Sequence, residues 1–156
     1  MRLKYLLFLE PYMDVLGKYE KLEGISEEEI EDLERAFNVT LPDAYKEYLL
    51  FFGKESGQLL TAYYTEIKYL PETRSEAIAA LNFDDEKPGP KADINENYFL
   101  FGQWQGYVFY FFDCTEKHED PPVYILRDSG EIILYKPSFS SFIKEDGLNP
   151  VIEASK

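Results

Sequence analysis

The chain has 156 residues, 45% of them apolar and 17% aromatic, enough to bury a sizeable core in one domain and to exclude a disordered chain. Its 30 acidic residues outweigh 16 basic ones for a formal charge of −14, a field that repels nucleic acid and anionic membranes and attracts basic partners. The lone Cys114 excludes an intrachain disulfide and a cysteine-based zinc framework, and suits a reducing compartment.

The chain starts MRLKYLLFLEPY, a basic end joined to a short apolar run. Glu10 and Pro11 break the run, no small-residue cleavage site follows, and it is too short to span a bilayer. It reads as a short docking helix with Leu3, Leu6 and Leu7 on one face, and the absence of a targeting segment makes the cytoplasm the expected compartment.

Next comes ISEEEIEDLERAFNVTLPDAYKEYLLFFG, residues 25–53, which reads as two consecutive helices. Ser26 is placed to cap the first, and Glu29 can reach back to complete a capping box. Ile25 and Ile30 have the spacing of a hydrophobic staple. Glu27, Glu28 and Glu29 favour the positive end of the helix dipole. Ile30, Leu33 and Phe37 form one apolar stripe, and Asn38 suits a left-handed stop. Pro42 disfavours helix at Leu41 and opens the second helix. That helix is expected to bury Tyr45, Tyr48, Leu49 and Phe52 and to end at Gly53.

Residues 59–69 are rich in Tyr, Thr and Ile and predict one strand or two short ones. Residues 74–83 predict a helix with Ala77, Ile78 and Leu81 inward. Residues 84–97, DDEKPGPKADINEN, are a loop long enough to bind a partner. Residues 98–101 and 107–112 predict strands paired around 103–106. The second is apolar on both faces and belongs near the sheet centre. Residues 123–127 and 131–135 predict a hairpin around Asp128-Ser129-Gly130. The expected fold is α+β: an N-terminal helical hairpin, then a mainly antiparallel sheet with helices packed on one face and a short C-terminal helix.

The order Ile25, Leu33-Glu34, Leu41-Pro42, then Tyr45 through Leu49 to Gly53 resembles the N-terminal signature of the SUKH superfamily, the group named partly after the Smi/Knr-type regulators of yeast. Phe52 stands where Asn is usual before the glycine. Phe101-Gly102 with an aromatic strand ending in Asp113 resembles the central strands, and SFSSFI, residues 138–143, the closing helix. The resemblance spans residues 25–145, leaving 1–24 as an N-terminal helical extension of a single domain over 1–156. It implies a binding protein. Bacterial members are largely associated with polymorphic toxin systems, as immunity proteins that neutralise a cognate toxin domain, often a nuclease. The yeast relatives imply an alternative, an intracellular scaffold or regulatory module.

The residues themselves show no catalytic apparatus. His118 is the only histidine, no nucleophile can be placed beside it, and phosphate loops and dinucleotide fingerprints are absent. Asp113, Glu116, His118, Glu119 and Asp120 form an oxygen-rich group with one imidazole that could hold a metal. They match no calcium-loop pattern, and Pro121-Pro122 marks an exposed connection, so a solvated acidic loop is the preferred reading, with no metal or cofactor. A carboxylate- or metal-dependent hydrolase is the third alternative. Trp104, like Tyr63 and Tyr64, is either a core residue at the sheet end or a partner anchor. The candidate interface is Asp84, Asp85, Glu86, Asp93, Glu96, Glu116, Glu119 and Asp120 with Trp104, facing a basic, nuclease-like protein partner rather than nucleic acid or membrane.

Overall fold

The computed structural model describes residues 3–83 and 93–156. The local signals of the helical pair act as their chemistry predicts. In α2, Glu27–Phe37, the Ser26 hydroxyl accepts the Glu29 N–H at 3.1 Å and Glu29 returns a carboxylate to the Ser26 N–H at 3.2 Å. Asn38 ends the helix in the left-handed region at φ 53°. Glu34 accepts the Leu41 N–H across the turn and pairs with Lys46. α3, Asp43–Phe52, follows Pro42 and is buried nearly all round, with Tyr45, Tyr48, Leu49 and Phe52 fully enclosed.

The N-terminal segment packs into the same core. A 3-10 turn, Leu7–Tyr12, runs into α1, Met13–Leu16, and buries Leu3, Leu6, Leu9 and Leu16. Leu7, expected inward, points to solvent, and Leu9 takes its place because the tighter helical winding rotates the buried stripe. Glu47 of α3 ties this segment down: its two carboxylate oxygens accept the N–H groups of Lys4 at 2.9 Å and Leu6 at 2.8 Å.

Residues 59–69 form no strand. Gly57, Leu60 and Tyr64 all have φ between 50° and 58°, and these left-handed residues interrupt any extended run. The segment makes turns, then a 3-10 turn, Ile67–Tyr69, that leads directly into α4, Leu70–Leu81. Pro71 in its first turn starts α4 four residues before Arg74. A small ladder absent from the sequence reading pairs β1, Leu22–Glu23, with β2, Glu55–Ser56.

The main sheet is antiparallel in the order β3, Tyr98–Trp104; β4, Val108–Asp113; β5, Val123–Arg127; and β6, Ile132–Lys136. β4 is central, as its two apolar faces require. One face carries Phe99, Phe101, Tyr110, Phe112, Val123 and Ile125 against the helical layer of α2, α3 and the C-terminal helices. α4 closes part of the other face over Leu100, Phe109, Phe111 and Leu126. Residues 63–65 cover the outer edge of β3, where the Gln103 N–H donates to the Tyr63 carbonyl at 2.8 Å. Gly102 permits this approach, because a Cβ there would sit 2.9 Å from the same carbonyl. β6 is the free edge: among the described residues nothing pairs with its outer side, and Ile132 and Leu134 are exposed.

The C-terminal SFSSFI sequence forms the capped α5, Phe139–Phe142, which continues as a π-helical turn, Ile143–Leu148, and α6, Asn149–Ala154. The wider turn carries Asp146 to the sheet, where it accepts the hydroxyls of Tyr63 at 3.2 Å and Tyr135 at 2.6 Å.

Candidate interaction surface

Strand register decides which acidic residues share a surface. Tyr98 pairs with Asp113, and the Cys114 N–H donates to the Asn97 carbonyl at 2.7 Å. The approach to β3 and the β4–β5 connection therefore lie at one end of the sheet. Asp93, Glu96, Glu116 and Glu119 gather there with exposed side chains. The Glu119 carbonyl accepts the Ala44 N–H at 2.7 Å, which fixes this connection to the start of α3. Asp120 lies at the same end but is committed internally: its carboxylate accepts both the N–H and the hydroxyl of Ser140 and so holds the start of α5. Asp84, Asp85 and Glu86 lie outside the described residues.

Trp104 is separated from this group. It pairs with Val108 at the far end of β3, six residues from Tyr98, or about 20 Å along the strand. It is half-buried, packs on the main core and meets the Tyr107 ring edge-on at 5.5 Å. Tyr63 is half-buried against the core and bonded to Asp146, whereas Tyr64 is exposed.

Cations also lie at this end, Lys117 exposed in the β4–β5 connection and Arg74 donating to the carbonyls of Ile94, Asn95 and Tyr98, while most ion pairs among the described residues form elsewhere. Lys21 pairs with Glu23 and Glu55, Lys46 with Glu34, Lys68 with Glu66, Arg127 with Glu131, and Lys136 with Glu145 and Asp146. None of the ion pairs among the described residues involves Asp93, Glu96, Asp113, Glu116 or Glu119. Asp113 instead accepts the Thr115 N–H and hydroxyl, and Asp93 the Ile94 N–H. Asp113, Glu116, His118 and Tyr124 line a shallow pocket of about 280 Å³ at this end.

Among the described residues no three His, Cys, Asp or Glu side chains converge as a metal-binding set. Burial pushes the Cys114 thiol up to about 12, with Asp113 and Glu34 adding to the effect, so at neutral pH it is a protonated, weakly nucleophilic thiol. Burial likewise raises Tyr63 to about 12, reinforced by Asp146.

At the opposite end of the sheet lies a groove of about 970 Å³ between α4, the β3–β4 turn and the β5–β6 turn. Tyr64 and Phe83 line it, and Tyr107 stands exposed beside Gln105. Sequence reasoning singled out Tyr64 and Trp104 here but missed Phe83, Tyr107, Glu76 and Asp128. The usable signal was the hairpin itself: paired strands at 98–101 and 107–112 place their turn opposite the acidic loops.

The model of the SMI1 / KNR4 family (SUKH-1) matches residues 24–145. The chain belongs to this family. No curated protein matches it in a sequence comparison. Among the described residues no helix is long and apolar enough to cross a membrane.

Proposed function

We propose that the protein is an immunity protein that binds and neutralises a cognate, basic toxin domain of nuclease type. Family membership supports a non-catalytic, protein-binding role. The observation that carries the finer reading is the end of the sheet where Asp93, Glu96, Glu116 and Glu119 stand exposed and without ion-pair partners among the described residues. A nuclease presents cations to phosphate, and an inhibitor with unpaired carboxylates on a rigid frame meets them without first breaking its own ion pairs. Such a surface steers encounter and raises the association rate by about 10- to 1,000-fold at low salt. The protein then acts by occupying the partner's cationic surface, in the cytoplasm, with no chemistry of its own.

The test is co-expression and co-purification with the toxin domain encoded next to it, at low and high salt, for the natural chain and for Glu96→Lys/Glu116→Lys/Glu119→Lys. The expected result is a complex that blocks toxicity, with the triple variant associating at least about tenfold more slowly. Full neutralisation by a folded triple variant sinks the acidic interface. Absence of any toxic neighbour or complex favours the scaffold role instead.

A further inference from the structure

The groove at the hairpin end combines three features that a solvated surface depression does not need. The first is exposed aromatic area. Phe83 is 84% exposed, Tyr64 45% and Tyr107 41%, and all three are at this one end of the sheet. Aromatic rings left in water in a cluster mark contact surfaces. The second is rigidity. Tyr64 is a bulky residue held in the left-handed region at φ 50°, and its ring meets Tyr69 edge-on at 5.2 Å. Gln105 and Gly106, at φ 52° and 79°, form the tight turn on the facing rim. The third is charge. Glu76 and Asp128 line the groove and no lysine or arginine does, among the described residues. The Gln103 amide donates to the Glu76 carboxylate across the groove from β3 to α4, which fixes that carboxylate in place.

Aromatic faces beside carboxylates are complementary to a cationic side chain, and best to arginine. A guanidinium stacks flat on a ring and donates in a fork to carboxylates. We propose that this groove receives an arginine-bearing segment of a protein partner, with Glu76 and Asp128 accepting from the guanidinium and Tyr64 and Phe83 covering its faces. A second copy of this chain does not suit the groove, because each copy carries −14 and the charged groups lining the groove among the described residues are carboxylates. The inference rests on the reading of the partner as a basic protein, but it concerns a surface about 20 Å away along β3 from the acidic end.

The test titrates the full-length chain, labelled for amide spectroscopy, with the acetylated amide peptide Gly-Arg-Gly-Arg-Gly and with the same peptide carrying citrulline for arginine. Citrulline keeps the shape and removes the charge. The expected result is arginine-dependent shifts of the amides of Glu76, Gln103, Gln105 and Asp128. Glu76→Gln/Asp128→Asn, with an otherwise unchanged spectrum, should bind at least about tenfold more weakly, and Tyr64→Ala should weaken binding independently. Shifts centred on Glu96, Glu116 and Glu119 with a silent groove overturn the proposal and leave the acidic-interface reading standing. Equal shifts from the citrulline peptide, or binding undiminished in the double variant, also overturn it. Groove binding of the peptide together with failure to capture any toxin removes the immunity reading and leaves the groove assignment intact.

Discussion

Two buried tyrosines one helical turn apart offer a test with opposite signs. Tyr45 and Tyr48 are both fully enclosed in α3. The Tyr48 hydroxyl bonds Thr65 Oγ1 at 2.7 Å, whereas the Tyr45 hydroxyl has no hydrogen-bond partner among the described residues. The Tyr45 ring packs against Phe99, Phe101, Phe112 and Phe139 at 5.1–6.0 Å, all apolar neighbours. An unpaired hydroxyl in such a place costs about 1–3 kcal/mol of desolvation. Tyr45→Phe removes that cost and keeps the ring, so it should stabilise the protein by about 1 kcal/mol or more, raising Tm by about 2–4 °C. Tyr48→Phe deletes the same atom but strands the buried Thr65 hydroxyl and should destabilise by about 1–3 kcal/mol. Urea unfolding followed by circular dichroism measures both, with unchanged m-values as the control for a two-state comparison. A loss of more than about 1 kcal/mol in Tyr45→Phe would refute the reasoning, because it would mean that the hydroxyl is hydrogen-bonded.

Glu47→Ala should leave the Lys4 and Leu6 N–H groups without their acceptor, cost about 2–4 kcal/mol, and accelerate amide exchange at those two residues before the rest of the core. Unchanged exchange there would show that apolar packing alone holds the segment. Cys114 has its folded-state pKa raised from 9.0 to about 12, so it contributes stability that is complete below pH 9 and lost as pH rises toward 12. Cys114→Ala should flatten the alkaline fall in stability over that window, and the native thiol should resist disulfide reagents at pH 8. Rapid labelling of the folded chain would contradict its burial.

The helical pair was legible because its signals are local. Ser26, Glu29, Asn38 and Pro42 each act within one turn of chain, and the structure uses each as its chemistry predicts. The hairpins were legible for the same reason: Asp128-Ser129-Gly130 carries its own turn geometry, with Gly130 at φ 89°. Residues 59–69 misled because β-prone side chains say nothing about backbone sign. Leu60 and Tyr64 both adopt positive φ, a backbone region their side chains disfavour. The acidic residues were visible as a composition, but their grouping was not. Asp120 could not be told from Glu119 until α5 brought Ser140 back across a separation of 20 residues. The two ends of the sheet follow from register, and register is a property of pairs of strands rather than of either one.

The two edges of the main sheet are treated differently, and this has a colloidal consequence. β3 is sealed by residues 63–65, but among the described residues β6 offers open main-chain groups beside Ile132 and Leu134. Such an edge is a template for stacking one chain on another. At neutral pH mutual repulsion between copies each carrying −14 opposes such stacking, whatever partner the chain binds. The composition places the isoelectric point at about 4.4, where that repulsion falls away while the edge remains, so acidification is expected to favour edge-to-edge association.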